Sequence, residues 1–335
     1  MIPRTQPVWQ TGSWQQLLAE AVSDPAKLIA LLHLDPALLP AARAAAAVFG
    51  LKVPRGFLAR MRPGDPDDPL LRQVLPLGAE LETVAGYSAD PLAEADAMPE
   101  PGLLAKYRGR ALLVTTGACP VHCRYCFRRH FPYGEANPAR GEWEATLAWL
   151  TAHPESHEVI LSGGDPLTLS DRRLAELAGQ LAAIPHLRRL RVHTRMPVVL
   201  PERVDDRLID WLAGTRLQPV MVIHSNHPRE ISPEVEAALL RLHEAGVTLL
   251  NQSVLLRGVN DQVETLVELS ETLFSARVLP YYLHLLDQVH GAAHFDVPEE
   301  EARLLHRQLR ARMPGYLVPQ LVREEAGAPS KVPYS

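Results

Sequence analysis

From about residue 111 the chain alternates short apolar runs with amphipathic stretches. The runs at 111–116, 158–162, 190–194, 220–224, 247–254 and 281–286 have the length and apolar density of strands. Between and after them, apolar residues recur at three- and four-residue spacing over 143–150, 174–184, 204–212, 235–242, 263–273 and 299–309, which predicts helices. The fourth helix shows both of its ends. Ser232 stands at the cap position, Pro233 at the first helical position, Val235, Ala238, Leu239 and Leu242 form one apolar face, and Gly246 suits the terminating turn. Six βα units in a row predict a parallel sheet, because each crossover helix returns the chain to the same strand direction. Six fall short of the eight that close a barrel, so the expected fold is α/β, a partial (β/α)6 TIM-like barrel. In such folds the chemistry gathers at the carboxyl ends of the strands.

The first hundred residues read differently. Proline, 30 of 335 residues, is roughly twice as common as its usual share of about 5%. Pro63, Pro66, Pro69, Pro76, Pro91, Pro99 and Pro101 gather here and predict short helices with frequent turns. The expected organisation is a mostly helical, proline-rich extension over 1–105, the partial barrel over 106–312 and a carboxyl-terminal segment over 313–335. An apolar content of 47% supports a large core, and a net charge of -5 argues against a nucleic-acid-binding surface. The stretch from Met1 through Trp9 and Trp14 lacks the basic start and apolar run of a signal peptide, and no apolar segment reaches membrane-spanning length. The expectation is a cytoplasmic enzyme with neither nucleic acid nor membrane as partner.

The only cysteines, Cys119, Cys123 and Cys126, sit together in Ala-Cys-Pro-Val-His-Cys-Arg-Tyr-Cys-Phe-Arg-Arg. Three thiolates at C-x3-C-x2-C spacing can hold three irons of a cubane cluster and leave the fourth iron open to a small molecule. The loop follows the first predicted strand of the barrel directly, at the mouth where chemistry is expected. A Cys3His zinc site using His122 or His130 is the competing reading, although zinc sites usually draw a ligand from a second, distant knuckle. Inert buried thiols and disulfides fit less well, because the number is odd, the spacings are short and no further cysteine exists.

With Tyr125 just before the last cysteine, the motif resembles that of the radical S-adenosylmethionine enzymes. Cys-Arg-Tyr-Cys-Phe-Arg-Arg narrows the likeness to the lysine 2,3-aminomutase family. Lys106-Tyr107 to Arg110, His-Phe-Pro-Tyr at 130–133, Val-His-Thr-Arg at 192–195 and Gly-Ala-Ala-His-Phe at 291–295 are most similar to the bacterial members that supply β-lysine for modifying elongation factor P. The resemblance runs over nearly the whole chain and implies a barrel of the radical S-adenosylmethionine type.

It implies three cofactors. A [4Fe-4S] cluster on Cys119, Cys123 and Cys126 would take S-adenosyl-L-methionine at its open iron. Tyr125, the loop Ser162-Gly163-Gly164-Asp165, His224 with Asn226, and Asn251 with Gln252 would face that molecule; the two glycines are read as letting backbone approach the ligand closely. The third cofactor, pyridoxal 5'-phosphate, needs a lysine for its Schiff base. Arginine outnumbers lysine thirty to four, and the lysines are Lys27, Lys52, Lys106 and Lys331. Lys331 matches the family position, and Lys106 and Arg110 fall where the family places cations for the phosphate.

The substrate implied is L-lysine. Arg128 matches the family's α-carboxylate-binding arginine, Asp287 one ammonium-binding carboxylate, and Glu324 stands where the free-lysine enzymes carry a second aspartate. The activity implied is isomerisation of L-α-lysine to (R)-β-lysine by 2,3-amino migration. The partners implied are an electron donor such as flavodoxin or ferredoxin and a functional link to elongation factor P and its lysyl-transferring ligase. A small assembly, up to a homodimer, is expected. The alternatives are a radical S-adenosylmethionine enzyme without pyridoxal phosphate, which would leave Lys331 idle, a 2,3-aminomutase acting on another amino acid, and an iron-sulfur or zinc binding module.

Overall fold

The computed structural model describes residues 13–134 and 143–334; the first twelve residues, read above for a signal sequence, lie outside them. One nine-stranded sheet runs in sequence order through β1 (Leu103–Tyr107), β2 (Arg110–Thr116), β3 (Glu158–Gly163), β4 (Arg189–Thr194), β5 (Gln218–Ile223), β6 (Thr248–Val254), β7 (Leu279–His284), β8 (Gln320–Arg323) and β9 (Val332–Pro333). Strands β2 to β8 are parallel, whereas β1 and β9 pair antiparallel at the two edges. Adjacent strands in the sheet are consecutive in the chain, the topology of a partial barrel.

Six parallel strands were expected and seven are found. The added strand, β8, is the four-residue run Gln-Leu-Val-Arg, too short to stand out as a period-two pattern. The edge strand β1 returns into β2 through Arg108 and Gly109, and Gly109 has φ 81°, where glycine is the least strained residue. The carboxyl-terminal segment thus adds β8 and β9 to the sheet instead of trailing from it.

Among the described residues five short helices precede the sheet: α1 (Trp14–Ala19), α2 (Pro25–Leu31), α3 (Leu39–Val48), α4 (Arg55–Leu58) and α5 (Pro69–Arg72). Local signals set their ends. Ser13 and Gln16 form a reciprocal capping box on α1, and Asp24 and Asp68 cap helices that begin with proline. Trp14, Phe57, Leu71 and Val74 are buried in the same apolar core as Val159, Leu190 and Leu239 of the sheet and its helices.

The crossover helices are α6 (Glu144–Ala152), α7 (Asp171–Ala182), α9 (Asp206–Ala213), α10 (Pro233–Glu244) and α11 (Val263–Ser275), with one-turn α8 (Met196–Val199) after β4 and α12 (Glu299–Arg312) between β7 and β8. Helix α7 buries Leu174, Leu177, Ala178 and Leu181, the i, i+3, i+4, i+7 stripe that packs it on the sheet. Helix α10 starts and stops where expected, but Ser232 does not cap through its hydroxyl. Its Oγ donates to Glu234 Oε2 at 2.8 Å, while Gly246 takes φ 85° beyond the last turn. Among the described residues no helix is long and apolar enough to cross a membrane.

Candidate active site

Strand parity builds the site. Successive residues of a strand point to opposite faces, so Ala111 and Leu113, Val159 and Leu161, and Leu190 and Val192 face the helices while their neighbours face inward. The inward set encloses a cavity of about 270 Å3 whose wall includes Lys106, Arg110, Ser162, Arg191, His193, His224, Gln252, Tyr282 and His284, with Cys119, Cys123 and Cys126 added by the loop after β2 and Lys331 by the turn before β9.

The same parity corrects one expectation. Asn251 and Gln252 are adjacent in β6 and cannot both look into the cavity. Gln252 lines it, with Nε2 at 3.3 Å from His224 Nε2; Asn251 faces away, where Oδ1 accepts from Ser225 N at 2.9 Å and Nδ2 donates to Ser253 Oγ at 2.9 Å. Asn226 is also withdrawn from the cavity wall, donating to Tyr125 Oη at 2.7 Å and to Gln73 Oε1 at 3.0 Å.

The cysteine loop is pressed against the end of β3. Gly163 has φ 116°, and a Cβ there would stand 2.7 Å from Thr116 O; at Gly164 a Cβ would stand 2.4 Å from Ala118 O. What these glycines allow is contact between two backbones, the β3 turn and the cysteine loop, and only through it the cavity wall that both form. Asp165 braces the same corner. Its carboxylate accepts from Thr194 Oγ1 at 2.7 Å, Arg195 N at 2.8 Å and Leu167 N at 3.0 Å, and burial pushes it up to about 6 despite those bonds.

A buried polar net holds the loop from behind. Arg195, at the end of β4, donates Nη1 to Cys123 Sγ at 2.7 Å and Nη2 to Gln73 Oε1 at 2.6 Å and Glu230 Oε2 at 2.8 Å. Gln73 comes from the turn after α5, so the amino-terminal helices supply part of this net. Burial pushes the Cys119 and Cys126 thiols up, and the neighbouring cysteines add to the shift. Thiols held back from ionising, as at Cys119 and Cys126, suit a cationic metal centre, which would favour their thiolates. Among the described residues no three His, Cys, Asp or Glu side chains gather as one ion would need, and a cubane sets its cysteinyl sulfurs wider apart than a single zinc does. His122 meets Gly50 O through Nδ1 at 2.8 Å, and His130 meets His290 O through Nε2 at 3.4 Å.

Along the cavity wall, from Arg128 to Lys331, runs a chain of opposite charges. Arg128 donates Nε to Glu94 Oε2 at 2.7 Å and Nη2 to Glu94 Oε1 at 2.8 Å, and Nη1 to Ser162 Oγ at 3.1 Å. Lys106 donates to Glu94 Oε1 at 3.0 Å and Glu324 Oε1 at 2.9 Å, and Lys331 to Glu324 Oε2 at 2.7 Å. Arg110 lies over the Tyr107 ring at 4.7 Å and Lys331 over the Tyr282 ring at 5.7 Å. Burial pushes Asp287 up to about 7 and nearby Glu324 adds to it, while Lys331 and Lys106 oppose.

Among the described residues several wall atoms are buried without a partner: Asp287 Oδ1, His193 Nε2, His284 Nε2 and Gln252 Oε1. Buried polar atoms are nearly always bonded, so the cavity wall is built for a polar occupant. Burial holds His193 and His284 well below the ordinary range and His224 down to about 3, so all three are neutral imidazoles that can donate from one nitrogen and accept at the other. Glu94, Arg195 with Glu230 and Gln73, and His193 and His284 have no role that the sequence alone assigns. Parity on β4 and β7 signals the two histidines; nothing local signals Glu94, one acid in an irregular proline-rich stretch.

Residues 113–270 match the Radical SAM superfamily. An L-lysine 2,3-aminomutase of Escherichia coli is 51% identical over 96% of this chain and 94% of its own length, and one of Haemophilus influenzae is 46% identical over 100% and 99%. An L-lysine 2,3-aminomutase of Clostridium subterminale is 38% identical over 83% of this chain and 67% of its own length.

Proposed function

The chain belongs to the L-lysine 2,3-aminomutase family of radical S-adenosylmethionine enzymes, and on that premise we propose that it converts L-α-lysine to (R)-β-lysine by moving the amino group from Cα to Cβ. The observation that carries this reading is that Lys331, from the last strand pair, and the three cysteines after β2 line one cavity. Separated as they are in sequence, they share a wall only because β8 and β9 extend the sheet.

In this reading Cys119, Cys123 and Cys126 hold a [4Fe-4S] cluster, S-adenosylmethionine binds beside it against Ser162, His224 and Gln252, and pyridoxal phosphate is carried by Lys331 with its phosphate near Lys106 and Arg110. When bound, these groups supply single-electron cleavage, hydrogen-atom transfer and delocalisation of the migrating amine. The protein's own part is to hold, orient and keep dry. Arg128 meets the substrate carboxylate through its planar fork. Asp287, whose Oδ1 has no partner among the described residues, and Glu324 face the distant ammonium. Glu324 also bridges Lys331 and Lys106, accepting from each with one oxygen. The neutral histidines offer donors and acceptors without charge. The apolar backing of the sheet excludes water, which suits a reactive carbon centre.

The product would supply modification of elongation factor P in the cytoplasm, with a flavodoxin or ferredoxin as electron source; a homodimer is the assembly proposed. Anaerobic incubation of the reduced, reconstituted enzyme with L-lysine and S-adenosylmethionine, followed by chiral chromatography, is expected to yield (R)-β-lysine. Borohydride reduction and peptide mapping should trap a pyridoxyl group on Lys331. A trapped group elsewhere, or none, would sink the pyridoxal assignment even if the cluster assembles.

A further inference from the structure

Two carboxylates of the cavity wall have no part in the proposed reaction: Asp165, which braces the cysteine loop, and Glu94, which stands where a substrate carboxylate belongs. Its two oxygens take the Nε and Nη2 donors of Arg128, the edge that matches a carboxylate bidentately, and Oε1 also takes Lys106. Glu94 is 3% exposed and Arg128 6%. Arg128 Nη1 is spent on Ser162 Oγ and Gly163 O. A ligand carboxylate can reach the fork only if Glu94 leaves it.

The segment carrying Glu94 is built to let go. Over 88–98 the described side chains are exposed or half-buried except Leu92 and Glu94. The segment is pinned at one end, where Ser88 N donates to Gln288 O at 2.9 Å and His290 N to Ser88 O at 2.9 Å, next to Asp287. At the other end it feeds β1. Ala93, just before Glu94, takes φ 46°, a left-handed conformation that strains a residue with a Cβ. The segment's own bonds, Glu94 N to Asp90 Oδ1 at 3.2 Å and Asp96 N to Ala93 O at 3.3 Å, lie within it, so the ion pairs of Glu94, with buried Leu92, are what tie this strap to the cavity.

We propose that Glu94 is an internal stand-in for the substrate carboxylate: in the empty enzyme it occupies Arg128 and closes the strap 88–98, and an amino acid's carboxylate displaces it. Glu94 is thus a specificity-determining residue. Only a ligand whose own carboxylate replaces the lost pairs can open the site without leaving Arg128 buried and unpaired, a costly state. A diamine lacking the carboxylate has nothing to offer the fork, and binds, if at all, with the Glu94–Arg128 pair left in place. The inference rests on Arg128 being the carboxylate site of the proposed reaction.

Calorimetry on the cluster- and pyridoxal-loaded enzyme compares L-lysine with 1,5-diaminopentane for the wild type, Glu94→Gln and Arg128→Gln. Glutamine competes poorly for the arginine fork because its amide nitrogen meets donors instead of accepting from them. L-Lysine is expected to bind Glu94→Gln roughly ten-fold more tightly, the scale of removing one competing charged pair, with diaminopentane unchanged. Weaker lysine binding would overturn the proposal and make Glu94 a support for Arg128; an equal gain for both ligands would overturn it too. Hydrogen exchange on the wild type needs no variant: amides of 88–98 should exchange faster with lysine bound, and slower exchange would mean the strap closes over the substrate instead. If Arg128→Gln binds lysine as the wild type does, the fault lies in the carboxylate assignment, whatever Glu94 does.

Discussion

The cavity is walled in different ways around the cysteines and around Lys331, its cysteine end and its lysine end. At the cysteine end, Arg195, Glu230, Gln73, Asn226 and Tyr125 form a closed net in which every residue is buried and tied to at least two others. Its members come from the amino-terminal helices and the ends of β2, β4 and β5, so folding the core and shaping that end are the same event. At the lysine end, Lys106, Glu324 and Lys331 come from the two edges of the sheet, are 17–18% exposed and bond mainly to one another. One end is a fixed frame, and the other is a set of charges that ligands can rearrange. A cluster needs ligands held still, whereas a substrate and a phosphate must enter and leave.

That contrast predicts that damage at the lysine end costs function and damage at the cysteine end costs the fold. Lys331→Ala should lower lysine isomerisation by about a thousand-fold or more, the scale of removing a covalent catalyst, yet shift stability by only about 1 kcal/mol because Glu324 keeps Lys106. Chiral product assay and urea unfolding read the two effects, and a large stability loss would break the distinction. Arg195→Met should do the reverse. It leaves Glu230, which is fully buried, short of its cation and should cost about 3–5 kcal/mol in urea unfolding. A reconstituted Arg195→Met protein should also show a lower cluster potential by spectroelectrochemistry, since a donor to Cys123 Sγ is gone.

Asp287 gives the comparison a pH axis. Its carboxyl, held up to about 7 by burial in the ligand-free protein against an ordinary 3.8, keeps a proton that the unfolded chain has lost between those values. The stability it contributes is fully present below about pH 4 and is lost as pH rises through about 7. Urea midpoints measured from pH 5 to pH 8 should therefore fall more in the wild type than in Asp287→Asn. Lysine affinity should move the other way in the wild type, weakening about ten-fold per unit below pH 7 as the carboxylate is protonated, and this dependence should vanish in the variant. The smallest effect expected is at Ser232. Its hydroxyl serves Glu234 and not the α10 backbone, so Ser232→Ala should cost well under the ~1 kcal/mol of a working cap.

Much of the frame is legible in the chain. The six longer parallel strands and their helices follow from periodicity, because burying one stripe or one face leaves a regular trace. Parity within those strands goes further, since it turns His193 and His284 inward and Asn251 outward from their positions alone. The strands at the edges are not legible. β1, β8 and β9 are short, partly exposed and held by pairing to neighbours, so their sequences carry little pattern of their own.

By itself the sequence determined the donor set and the family: three cysteines on one loop, four lysines of which one suits the carboxyl-terminal position, and motifs whose order along the strands follows the fold. Only the tertiary structure decided the pairings. Glu94 meets Arg128, Gln73 meets Arg195, and Lys331 faces the cysteines' cavity, each across a gap in sequence that no local rule spans. The reason is physical. Periodicity records how a residue packs against its own element's neighbours, whereas a buried charge is matched by whichever distant group the closed sheet and its amino-terminal helices bring within hydrogen-bond reach.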